Sequence, residues 1–334
     1  MKISILDQSP ISVGKTAEQA LKESLKLAQI GEELGYTRYW ITEHHNIPGL
    51  SCSSPEVMLS YIGAHTNRIR LGSGAVLLPY YKPYKVAEIY NMLSVLYPNR
   101  IDLGIGRGPG GSDKAKLALS DNYSEQVRSV PESIVELLHF LKNDFPTNHK
   151  YNGISAFPLP NIPPQPWILG TSIKSAKIAA ANGLPYVFGH FISDIDGLKI
   201  LETYRQAFKR NNQLKHPKTI IAVSAICSET KEKAEEIALG ELFWNILISK
   251  GEGNNGIPSI EEAKQYQFTV EEKETIKNME ARMIIGTPME VKEKIVELQS
   301  LYQSDEIMIK TNTHYLNDRV KSYQLLAEEL LTNN

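Results

Sequence analysis

Cysteine is nearly absent from this chain. Cys52 and Cys227 are its two thiols, too few for a disulfide framework and without the spacing of a zinc site. Both read as reduced structural residues. Charge of one sign is missing too: a net value of -2 excludes the broad basic field by which proteins attract nucleic acid or an anionic membrane surface. Any phosphate bound here is bound locally. Long apolar runs are absent as well. No stretch approaches the roughly 18 apolar residues of a membrane span, and Met1 to Asp7 is too short for a secretory signal. The expectation is a cytoplasmic protein that works on small molecules.

What is present suits a sizeable folded core: 334 residues, 42% hydrophobic and 22% charged, describe an ordinary globular chain. Short β-type runs alternate with helical patterns. The runs are Ile3 to Leu6, Arg38 to Thr42, Ile69 to Leu78, Ile101 to Ile105, Trp167 to Gly170, Tyr186 to Phe188, Ile220 to Cys227 and Glu306 to Lys310. Eight such units fit an α/β fold of the closed (β/α)8 TIM-barrel type better than an open doubly wound sheet. The first helix illustrates the pattern, with Thr16 and Gln19 as a capping box, Leu21, Leu25 and Ala28 at helical spacing, and Gly35 as its stop.

One domain over 1–334 is expected, with two long connections. Residues 143–165 are rich in proline and predict an ordered, extended excursion. Residues 250–283 are polar, begin with Gly251, Gly253 and Gly256, and form an insertion between strands 7 and 8. Such an insertion on an enzyme barrel is either a lid or a surface excursion.

Two signatures stand directly after predicted strands, at the barrel edge where ligands bind. Gly106-Arg107-Gly108-Pro109-Gly110-Gly111 formally fits G-x-G-x-x-G, but it follows the fourth strand, Pro109 removes a backbone donor, and no acidic residue ends a following strand at the required distance. Arg107 reads instead as an anion clamp, or else as a rim arginine paired with a carboxylate. Gly170-Thr171-Ser172-Ile173-Lys174-Ser175 opens a helix after the fifth strand. Its free N-H groups and the hydroxyls of Thr171 and Ser172 suit a phosphate or an ordinary N-cap. The second signature is Glu43-His44-His45. Adjacent side chains of an extended segment point opposite ways, so one of His44 and His45 faces the pocket, as a proton carrier or as a rim hydrogen bonder. No second ligand motif completes a metal site, and no metal is expected.

Trp40-Ile41-Thr42-Glu43-His44-His45, Leu71-Gly72-Ser73-Gly74-Ala75-Val76, Arg100 to Gly108, and Gly183-Leu184-Pro185 together resemble the bacterial-luciferase-like flavin monooxygenases. Leu6-Asp7-Gln8-Ser9-Pro10 and Gly286-Thr287-Pro288 extend the likeness over nearly the whole chain, most like the single-chain (group 1) branch. The resemblance implies a barrel that takes reduced FMN from a separate flavin reductase. It then forms a flavin C4a-hydroperoxide with O2 and oxidises a small organic substrate such as an aldehyde or ketone. It also implies a homodimer. By the same resemblance Arg107, Ser172 and Ser175 match phosphate-binding positions, and Thr171 stands where luciferase has glutamate. His44 matches the acid-base histidine, Gly74 and Ala75 a pair joined by a non-prolyl cis peptide, and Gly106 the position of luciferase's reactive cysteine.

A single phosphate served by one cationic fork suits FMN better than FAD. Phe191 and Trp244, with His45, are the candidate substrate or lid residues. Two other readings compete: deazaflavin-dependent hydride transfer on the same barrel, and a flavin-binding protein without turnover.

Overall fold

The computed structural model describes residues 1–193, 195–211 and 214–331. Its strands are β1 (Ile3–Asp7), β2 (Arg38–Ile41), β3 (Arg70–Ser73), β4 (Val76–Leu77), β5 (Ile101–Gly106), β6 (Gln165–Gly170), β7 (Tyr186–Gly189), β8 (Thr219–Cys227), β9 (Met283–Gly286) and β10 (Glu306–Lys310). All pairings within this sheet are parallel, in the order β10-β1-β2-β3-β5-β6-β7-β8, and β10 pairs with β8 to close the ring. The chain folds as the closed eight-stranded barrel that its alternating pattern predicts.

Two short strands stand outside the ring. The run Ile69 to Leu78, expected as one strand, is divided: β3 ends at Ser73, the Gly74–Ala75 peptide is cis, and β4 resumes alongside β5. Close packing sets this break, since a Cβ on Gly104 of β5 would lie 2.0 Å from the Ser73 carbonyl oxygen. The other addition is β9, which pairs with the upper half of β8 through Ser224 to Cys227 while the lower half pairs with β10. It ends the insertion over 250–283, whose helices Ile260–Gln265 and Val270–Glu280 pack on the helix Lys231–Ser249. The proline-rich 143–164 has neither helix nor strand. It is held by Asn91 Nδ2, which donates to the Ala156 carbonyl at 2.7 Å. Among the described residues no helix is long and apolar enough to cross a membrane.

Strand alternation sorts the barrel interior into layers. The lowest is ionic. Arg38 from β2 is 3% exposed and bridges Asp102 of β5 (Nη1 to Oδ2, 2.6 Å) and Glu306 of β10 (Nε to Oε1, 2.7 Å). Arg70 takes the other Asp102 oxygen at 2.6 Å, and the Trp40 indole donates to Asp102 at 3.0 Å. Burial opposes the charge on Asp102, but the Arg38 and Arg70 guanidiniums outweigh it and hold the carboxyl below its ordinary range. The layer above is apolar, with Trp40 edge-on to Trp167 at 5.7 Å beside Leu6, Val187, Ala222 and Met308. Gly72 makes room for it, because a Cβ there would lie 2.4 Å from the Trp40 indole nitrogen.

Cys52 and Cys227 are buried, and burial pushes both thiols up to about 12. Removing the Asp102 charge leaves the Arg38 and Arg70 guanidiniums with Glu306 as the layer's remaining carboxylate and takes away Arg70's carboxylate partner. Asp102→Asn is therefore expected to destabilise the protein by about 3–5 kcal/mol, read as a lower urea midpoint at unchanged slope.

Candidate active site

Above the aromatic layer a cavity of about 450 Å³ opens at the carboxyl ends of the strands. Each barrel strand or the residue following it contributes to the lining: Leu6, Thr42, Gly74, Gly106, Leu169, Val187, Ala222 and Met308. The walls are mainly apolar, and the polar groups collect at particular strand ends.

At one end Arg107 leaves β5 and its Nη2 donates to Ser172 Oγ at 2.9 Å. No carboxylate pairs with Arg107 among the described residues. Tyr123 donates its hydroxyl to the Arg107 carbonyl at 2.9 Å and steadies the turn. Ser172 is the N-cap of the helix Ile173–Ala181 and forms a reciprocal capping box with Ser175. Ser175 is 2% exposed and its hydroxyl also meets Tyr186 Oη at 3.0 Å. Thr171 lines the same end. A guanidinium, a helix N-terminus and two accessible hydroxyls thus converge on one spot, the arrangement that binds a phosphate.

The two histidines divide as the extended backbone requires. His44 lines the cavity, with Nδ1 2.9 Å from Thr42 Oγ1. His45 does not line it; its Nε2 lies 2.8 Å from Glu43 Oε1 and its ring stands edge-on to Tyr80. Glu43 is itself engaged, accepting from the Leu77 amide at 3.1 Å and the Tyr81 hydroxyl at 2.7 Å. It fixes the segment just after the cis Gly74–Ala75 peptide, which forms part of the cavity wall.

Phe191 lines the cavity; Trp244 does not. The Trp244 indole is buried and donates to the Gly253 carbonyl at 3.3 Å, tying its own helix to the insertion. None of the described residues of 250–283 lines the cavity. Gln8, Thr42 and Met308 line it without having been singled out from the sequence. Gln8 and Thr42 had a local cue, as polar residues at strand carboxyl ends within Leu6-Asp7-Gln8-Ser9-Pro10 and Trp40-Ile41-Thr42-Glu43-His44-His45; Met308 had none.

A family model described as luciferase-like monooxygenase matches residues 1–304. The chain belongs to that family. It is accordingly an oxidoreductase that incorporates molecular oxygen. It is 37% identical to N-acetyl-S-alkylcysteine monooxygenase of Bacillus subtilis (strain 168), over 99% of this chain and 98% of that protein. The crystal structure of apo-MsnO8 superposes with a TM-score of 0.87 at 30% identity, covering 99% of this chain and 98% of the other. A more distant structure is the oxygenating constituent of 3,6-diketocamphane monooxygenase from the CAM plasmid of Pseudomonas putida, a type II Baeyer-Villiger monooxygenase in complex with FMN. It matches at 19% identity and TM-score 0.72, over 100% of this chain and 98% of that one, and shares the fold.

Burial, then the neighbouring His45, lowers the His44 pKa to about 4. His44 is therefore neutral at physiological pH and able to accept a proton. An unfolded histidine protonates near 6.5, so the unfolded chain binds more protons between about 6.5 and about 4, and this group costs stability as pH falls through that window. Nitrogen NMR of the imidazole is expected to show His44 neutral down to about pH 5; a midpoint near 6.5 would contradict its environment.

Proposed function

We propose that the protein is an FMN-dependent monooxygenase that receives reduced flavin from a separate reductase and oxidises a small organic substrate. The observation that carries this reading is the Arg107–Ser172 pair at the N-terminus of the helix Ile173–Ala181, set at one end of a mainly apolar cavity. One phosphate fits that end. A diphosphate calls for more donors than Arg107, Thr171 and Ser172 offer, which favours FMN over FAD.

In this reading Arg107, Ser172 and the helix N-terminus bind the phosphate, Thr171 adds a hydroxyl, and Ser175 holds Ser172 in place. Gly74 and Ala75 form the wall that receives the ring, and Phe191 with Leu6, Val187 and Met308 keeps water out. What the bound reduced flavin supplies is activation of O2 as its C4a-hydroperoxide. His44, neutral and adjacent to the cavity, holds or accepts the proton that moves as the substrate is oxidised. His45 and Trp244 act from behind the wall, through Glu43 and the insertion respectively.

The substrate class named for the Bacillus subtilis relative adds S-alkylated cysteine derivatives to the aldehydes and ketones worth screening. A homodimer belongs to the same reading. An exposed apolar strip supports it, formed by Val57, Tyr61, Met92, Leu96 and Phe157 on the helices Pro55–Gly63 and Pro83–Leu96 and the excursion after them.

Arg107→Ala is expected to weaken FMN at least tenfold while leaving riboflavin affinity nearly unchanged, since a charge-assisted pair to phosphate contributes on the order of 1.5–3 kcal/mol. Equal losses for both flavins would contradict the clamp. The reaction itself is tested by stopped-flow absorbance after mixing protein and photoreduced FMN with oxygenated buffer. A hydroperoxide band that outlives its counterpart in free solution is the expected result. Exclusive binding of a deazaflavin would move the function to hydride transfer.

A further inference from the structure

Gln8 follows β1 directly and lines the cavity across the barrel mouth from β6, opposite the end where Ser172 stands. Its amide orientation is dictated by a chain of buried groups with one-way chemistry. The chain starts at Lys310, 5% exposed at the end of β10, which has only hydrogens to give. Lys310 Nζ donates to Oε1 of Glu241, itself 3% exposed on the helix Lys231–Ser249. An ionised carboxylate only accepts, so the side-chain atom of Asn312 that faces it must be the nitrogen.

Asn312 Nδ2 donates to Glu241 Oε1 at 3.0 Å and, with its second hydrogen, to Gln8 Oε1 at 2.7 Å. That bond commits the Gln8 oxygen, while the amide nitrogen of this cavity-lining residue donates to no partner among the described residues. The network also leaves Glu241 Oε2 and Asn312 Oδ1 buried and unpartnered. Apolar side chains filling the same volume would avoid that cost. The arrangement is suited to presenting a donor, not merely to packing.

Around the cavity the other polar side chains stand at the Arg107 end or belong to the Thr42–Glu43–His44 segment after β2, where Thr42 meets His44 Nδ1 and Glu43 is held by Tyr81 and His45. The wall beside Gln8 is apolar, formed by Leu6, Ala222, Phe191 and Met308. A carbonyl buried there without a donor is disfavoured, and an isoalloxazine ring carries two. We propose that the Gln8 amide donates a hydrogen bond to a carbonyl oxygen of the flavin ring, with Asn312, Glu241 and Lys310 as positioning residues that hold it in that orientation. The proposal rests on the flavin reading above and extends it to the ring.

The test is an anaerobic fluorescence titration of wild type, Gln8→Met, Asn312→Ala and the double variant with FMN and with riboflavin, each protein's thermal midpoint recorded to establish folding. Gln8→Met is expected to weaken both flavins equally, by about tenfold, whereas Arg107→Ala spares riboflavin. Asn312→Ala is expected to give a smaller loss that disappears in the Gln8→Met background, the coupling that a purely structural role would not produce.

Wild-type affinity in folded Gln8→Met, a loss confined to FMN, or additive losses in the double variant would each overturn the assignment. If Gln8→Met does not fold, Gln8→Glu carries the same expectation, since it keeps an acceptor for Asn312 and removes the donor. Wild type that binds neither flavin would overturn the cofactor reading itself, and this result is distinct from all the others.

Discussion

The interior of a closed eight-stranded barrel admits side chains from alternate strand positions only, and this constraint governs every other feature of the molecule. On β2 it sends Arg38, then Trp40, then Thr42 inward at successive heights, while Tyr39 and Ile41 turn outward into the helical layer. On β5 the inward positions are Asp102, Gly104 and Gly106. The charge at the lowest inward position of β2 thus meets charge at the same height on β5 and β10, and large aromatics at the next height cover it. The absence of a side chain at Gly104 admits the Ser73 backbone, and its absence at Gly106 leaves that position to the cavity. A Cβ on Gly106 would come within 3.0 Å of the Ala75 Cβ, so the cavity's shape follows from which inward positions are glycine.

The polar features of the site follow from where strands end rather than from the strands themselves. Arg107 and Ser172 lie on adjacent strand ends, which lets a guanidinium reach the N-cap of the following helix. The capping box leaves Ser172 Oγ beside Arg107, because Ser175 completes it from below. His44 and His45 show the same economy of geometry. One backbone alternation places an imidazole at the cavity and hands the other to Glu43, whose remaining oxygen anchors Leu77 and so the segment beside the cis peptide.

Much of this was legible from the sequence because its signals are local. The eight barrel strands were visible as apolar runs, the first helix through Thr16, Gln19 and Gly35, and the polar cluster at the cavity through Arg107 and the hydroxyls after Gly170. What was not legible depends on contacts between distant segments. Ile69 to Leu78 looks like one strand because the close approach of Gly104 to Ser73 is invisible in the run itself. Trp244 was a plausible lid aromatic by its place near the insertion, yet its helix turns it onto Gly49 and Gly253 and away from the cavity. The role of Gln8 depends on Asn312 and Glu241, hundreds of residues away along the chain, and no spacing rule joins them.

The insertion over 250–283 bears on the site in a way its composition did not suggest. Among its described residues it places no side chain in the cavity lining, but its backbone braces the loop that carries Gln8. The Ile257 amide donates to the Ile11 carbonyl at 2.8 Å, the Val13 amide donates back to Ile257 at 2.9 Å, and His314 Nδ1 lies 2.8 Å from the same Ile257 carbonyl. Gly256, at φ 90°, permits this approach, since a Cβ would lie 2.2 Å from the Ile11 carbonyl oxygen. Ile11 and Val13 belong to the loop that carries Gln8, and His314 to the loop that carries Asn312. Ser12 Oγ joins the two directly by donating to the His314 carbonyl at 2.5 Å. The relative position of Gln8 and Asn312 is therefore set twice, by their own hydrogen bond and by a backbone clamp from outside the barrel. A segment outside the described cavity lining thus fixes the geometry of a group that lines it.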